Sequence, residues 1–156
     1  MIPDSPYSAI SLPSGWELVY TNEPLMFIDK GLLEHVSAEH DIVACYVNET
    51  VMFSLAVECR NAEMVWGVRH DASQGIDDIV TEGKVPKQYD EIWRRLEADR
   101  AARRGGQRID FMFDLPVELA ATITGFQHDR IPAEWGAAPF VVLKPIGKGP
   151  YGVLKR

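Results

Sequence analysis

Long apolar runs are missing from this 156-residue chain, and no stretch reaches the ~18 residues that a membrane-spanning helix needs. The N-terminus, MIPDSPYSAISLPSG, has neither a basic start nor an apolar central segment, so a secretory signal is not expected and the cytoplasm is the expected location. Cysteine is scarce, with only Cys45 and Cys59. Placed on adjacent antiparallel strands, roughly five residues out of register at ~3.3 Å each, the two lie well beyond the ~7 Å limit for a disulfide. Two buried free thiols of a reducing compartment are the expected outcome. No C-x-x-C motif and no His-rich neighbour accompanies them, which argues against zinc. Nucleophile motifs are absent as well: there is no G-x-S-x-G, and Ser54 and Ser73 stand in no base-bearing context. GKGPYG (147–152) lacks the spacing and the following Ser/Thr of a phosphate loop. No cofactor is expected.

Positive charge is nearly missing from the first half. Residues 1–83 hold 14 acids against three bases (Lys30, Arg60, Arg69), whereas residues 84–156 hold 13 bases and nine acids, so a net charge of −7 divides into −11 and +4. The acidic half argues against nucleic acid as its partner and for a basic macromolecule or plain solubility. The run RRLEADRAARRGGQR (94–108) interleaves Glu97 and Asp99 with its arginines, the pattern of a solvated helix face.

What is present reads as one α+β domain. Gly15–Asn22 forms a first strand with Trp16, Leu18 and Tyr20 on one side. A helix of about 15 residues follows, capped by Asn22, with Leu25, Ile28, Leu32 and Val36 at helical spacing. Residues 41–71 predict a three-stranded antiparallel meander packed with two to three helices. Turns at Asn48-Glu49-Thr50 and Asn61-Ala62 set Cys45 opposite Phe53 and Val57 opposite Trp66. One face then collects Val43, Cys45, Val47, Phe53, Leu55, Val57, Met64, Trp66 and Val68, with His70 at its rim. Residues 72–86 read as loop, and a helix opened by Pro86 and ended by Gly105-Gly106 carries Tyr89, Ile92, Trp93 and Leu96. A strand at Arg108–Phe113, a short helix capped by Asp114 and stopped by Gly125, and an edge strand at Pro139–Pro145 complete the order β-α-βββ-α-β-α-β. Residues 1–14 and 146–156 are expected to be loosely ordered.

Two His-Asp dipeptides are the chemical candidates. His70-Asp71 sits at a strand end, where the ring tucks against the core and the carboxylate caps backbone N–H groups in DASQG. His128-Asp129 follows a helix C-terminus, where a cationic ring is favoured. If His70, Asp71, His128 and Asp129 met in space, they would suit a divalent metal, or an enzyme or small-ligand site built on it. A Cys45–His70 thiol–imidazole pair would need a lowered thiol pKa and an orienting acid. Asp77, Asp78 and Glu82 form an acidic cluster beside a glycine-bounded loop and, with Glu49 and Glu63 near the hairpin turns, are candidate contacts for a basic partner.

The segments GWELVYTNEPLMFI, DIVACYVNETVMFS, VWGVRHDASQG and IDFMFDLPVELAATITGFQHDR together resemble small bacterial proteins of polymorphic-toxin and secreted-effector loci, where such proteins supply immunity. The resemblance covers residues 15–130 and has no defining catalytic motif. It implies a cytosolic antitoxin that binds and blocks a cognate toxin domain with a basic cleft, and it assigns no functional residues. A mixed sheet face or the proline-flanked last strand would also suit homo-oligomer contacts.

Overall fold

A computed structural model describes residues 6–22, 29–103, 109–130, 140–146 and 153–155. Its centre is a four-stranded antiparallel meander, β3 (Ile42–Asn48), β4 (Phe53–Arg60), β5 (Glu63–Asp71) and β6 (Ile79–Gly83), hydrogen-bonded in that order. The first three strands coincide with the alternating stretch 41–71. The fourth occupies what was expected to be loop, because its Thr81, Glu82 and Gly83 are exposed and lack a strand's apolar alternation.

The register differs from expectation in an instructive way. Asn48 pairs with Phe53, so Glu49–Met52 form the first connection and Cys45 lies opposite Ala56 rather than Phe53. In the second hairpin Arg60 pairs with Glu63 around Asn61 and Ala62, whose φ values of 52° and 61° are those of a two-residue primed turn. The ladder then slips at Glu58/Cys59, leaving Val65 as an extra residue. Both shifts are odd, and side-chain direction has period two. β4 alone therefore turns over, while β5 returns to its expected face. Ser54, Ala56 and Glu58 join Trp66, Val68 and His70 beneath the helices, and Leu55, Val57 and Cys59 point the other way.

Helix α2 (Gln88–Ala102) and helix α3 (Asp114–Thr124) cover the first face. Ile92 and Leu96 of α2 and Leu115, Leu119 and Ala120 of α3 pack on Ala56, Trp66 and Val68. Each large side chain buried there contributes about 1.5–3 kcal/mol. Helix α1 (Lys30–Ser37) lays Leu33 on Val57 and Cys59 across the opposite face. It is capped by Asp29, whose Oδ1 accepts from the Leu32 amide at 3.1 Å, and not by Asn22. Leu25 and Ile28, expected within this helix, lie outside the described residues, as do Gly105 and Gly106.

A second sheet has the order β2-β1-β7, built from β1 (Tyr7–Ser11), β2 (Glu17–Thr21) and β7 (Val141–Val142). β1 falls in the segment expected to be loose, as does β9 (Val153–Lys155), which pairs with β8 (Lys144–Ile146). Residues 109–113, expected to be a strand, are irregular and lead into α3. Asp114 is the first residue of that helix and caps nothing with its side chain. The C-terminus of α3 is fixed to the second sheet: Gly125 adopts φ 78°, and the Ser14 hydroxyl donates to the Thr124 carbonyl. A Cβ at Gly125 would lie 3.3 Å from that of Ser14.

Candidate functional site

The two His-Asp pairs do not meet. His70 is fully buried, its Nδ1 2.8 Å from the carbonyl oxygen of Asp78 and its Nε2 2.8 Å from Oδ2 of Asp110. Each ring nitrogen thus has a hydrogen-bond partner inside the fold. Oδ1 of Asp110 accepts from the Phe113 amide at 3.2 Å, which joins the strand end of β5 to the entry of α3. Asp71 points away and closes a turn, accepting from the Ser73 hydroxyl (2.6 Å) and amide (3.0 Å). The Ser73 hydroxyl bond, before any other cause, holds the Asp71 carboxyl below the usual carboxylate range. His128 stands 3.5 Å from Glu49 at the first hairpin connection, and Asp129 is exposed. Among the described residues no three His, Cys, Asp or Glu side chains cluster as metal ligands.

The acidic residues expected to meet a partner are likewise dispersed. Asp77 pairs with Arg100 of α2, and Asp78 lies 3.8 Å from Arg69. Glu82 and Glu63 are exposed, Glu82 on β6 and Glu63 beside the Asn61-Ala62 turn. Arg95 pairs with Asp99 and Glu118, which ties the basic run of α2 to its own acids and to α3.

A concavity lies elsewhere, between β2 of the second sheet and β3 of the first. It has a volume of about 740 Å³ and is bounded by residues 17–22 on one side and 41–49 on the other. Val117, Ala120 and Thr124 of α3 line it too, with Phe126–His128 just beyond the helix. Local sequence builds each wall. Trp16 and Leu18 pack with Ile10, Leu12 and Phe126 in the cluster that seats β2, and Tyr46 rests against Phe53 with ring centroids 5.9 Å apart. Cys45 is open to this cleft, not buried as expected, yet the surrounding walls desolvate its thiol and push its pKa from 9.0 up to about 12. The thiol is on the same face as His70, but β4 lies between them. Cys59 is buried on the opposite face, under α1.

Among the described residues the cleft carries more carboxylates than basic groups, the imidazole of His128 standing 3.5 Å from Glu49. Glu17, Asp41 and Glu49 line it, and no Lys or Arg does so among the described residues. Asp41 lies 3.5 Å from Arg60, and Glu17 accepts from the Ser11 hydroxyl at 2.7 Å. Of the candidate contact residues only Glu49 belongs here. Sequence reasoning missed Asp110 because Ile109, Phe111 and Phe113 mimic a strand's period. It missed the cleft because its facing walls, 17–22 and 41–49, are separate segments of the chain, although the unbroken run IVACYV (42–47), with no charge on either face, is the local signal of it. No helix among the described residues is long and apolar enough to cross a membrane. Comparison with family models, with curated proteins and with solved structures finds no match to this chain.

Proposed function

We propose that the chain is a non-catalytic binding protein of the immunity type, acting in the cytoplasm by holding a cognate toxin or effector domain and occluding its active site. The observation that carries this reading is the cleft between β2 and β3. Its described carboxylates, Glu17, Asp41 and Glu49, favour encounter with a basic surface. The groups a catalyst would use are committed elsewhere. Both nitrogens of His70 are occupied, and the Cys45 thiol, its pKa near 12, is a poor source of thiolate at neutral pH. Asp77 pairs with Arg100 and Asp78 lies 3.8 Å from Arg69, much as Asp41 lies 3.5 Å from Arg60, so it is the concavity, and not pairing within the chain, that favours the cleft over the β5–β6 loop as the contact surface.

The test is co-expression with the product of the adjacent gene, followed by calorimetry on the purified pair. Rescue of growth with tight one-to-one binding is expected. Absence of both binding and rescue contradicts the proposal.

A further inference from the structure

We propose that the cleft takes an extended, basic segment of the partner, which adds as a strand to the open edge of β3 opposite β2. This rests on the binding-protein reading and specifies its mode. Among the described residues β3 pairs with β4 alone, so it presents an unpaired edge. Every residue from 41 to 49 lines the cleft, as does every residue from 17 to 22. Side chains alternate along a strand, so an uninterrupted lining means that the backbone edges themselves form the walls.

Edge strands are ordinarily blunted by charge, proline, bulges or shortness. β3 has none of these: it runs seven residues, IVACYVN, in regular register with β4 and without charge, proline or glycine. β6, the other edge of the same sheet, is five residues long, carries Glu82 and ends in Gly83. The β3 edge is thus left in a state that sheets ordinarily avoid, inside a concavity able to hold an extended chain. In such additions main-chain hydrogen bonds supply affinity and alternate side chains supply specificity. Asp41 and Glu49 stand at the two ends of β3, where a Lys or Arg of the segment would exchange with Arg60 and His128, each 3.5 Å away, so the segment that fits carries Lys or Arg toward its ends and apolar residues against Leu18, Tyr46 and Val47.

The probe is a synthetic nine-residue peptide with Lys and Arg at its ends and alternating Val and Thr between. Its controls are the same peptide with Glu ends and one with a central proline. Binding to the full chain is followed by calorimetry and by amide hydrogen exchange. The basic peptide is expected to bind, and at ten times its Kd to slow exchange in residues 42–48 about tenfold. The double variant Asp41→Lys, Glu49→Lys is expected to keep the same thermal midpoint and bind at least about tenfold more weakly.

Equal binding of all three peptides, or binding that leaves β3 exchange unchanged, overturns strand addition. So does protection of β3 by self-association seen in light scattering, or uptake of an apolar dye with no peptide binding. If the adjacent gene's product binds while β3 exchanges freely, the strand mode fails and the immunity reading stands. If the peptide binds and that product does not, the reverse holds.

Discussion

The strand-end joint around His70 and the cleft along β3 treat polar groups in opposite ways. At the joint, a fully buried ring has an acceptor at each nitrogen, and its carboxylate partner is bonded again by a backbone amide. At the cleft, a row of backbone donors and acceptors lines a concavity with no strand beside it among the described residues. Burial makes an unmet hydrogen bond expensive, so a satisfied buried network stabilises a fold. An edge left open to solvent costs little alone and is available to another chain. His70 thus belongs to the stability of the fold, and the plain apolar strand is the one the proposal assigns to recognition, the reverse of what residue chemistry alone invites.

Substitutions should separate the two regions, and the largest effect is expected at the joint. His70→Ala removes a buried ring and strands the Asp110 carboxylate. Urea denaturation should show a loss of about 3–5 kcal/mol, while any molecules that remain folded still bind through the cleft. Next comes another buried polar contact of that face, where Trp66 Nε1 donates to Glu58 and Arg60 pairs with the same carboxylate. Trp66→Phe leaves one carboxylate oxygen without its donor and should cost about 1–3 kcal/mol by the same assay. Gly83→Ala should cost at least about 1 kcal/mol, because the residue has φ 66° and an added Cβ would lie 2.2 Å from the Val65 carbonyl oxygen.

The cleft has a smaller, pH-dependent signature in Cys45. Its folded pKa is raised, so the associated stability is fully present below the unfolded value near 9 and is lost as pH climbs toward about 12. Cys45→Ser should flatten the alkaline limb of the stability profile. Slow alkylation of Cys45 at pH 8, despite its opening to the cleft, checks the same cause. Fast labelling there would show that the walls do not desolvate the thiol.

Much of the α+β architecture was legible because β3–β5 alternate and Asn61-Ala62 marks a turn, while Pro86 and Gly125 punctuate α2 and α3. The face of β4 was not legible. It depends on a four-residue connection at Glu49–Met52 and a bulge at Glu58/Cys59, neither of which has a composition signal. β6 was hidden by its exposed polar residues, and the run 108–113 was misread because an apolar period of two also fits a turn that drops Met112 and Phe113 into the core. His70 was legible as a core-rim histidine and Asp71 as a turn cap. Asp110, 40 residues from His70 in sequence, was not. The cleft is walled by β2, β3 and α3, segments distant in the chain, and the Ser14–Thr124 hydrogen bond that ties α3 to the β1–β2 connection spans 110 residues without a local pattern.

Amide hydrogen exchange on the full chain, alone and with its bound partner, tests the central claim most directly. The account predicts new protection in residues 42–48 and 17–21 and unchanged exchange through 70–82. Protection confined to the loop at 72–78, with β3 still exchanging as in the free chain, would contradict it.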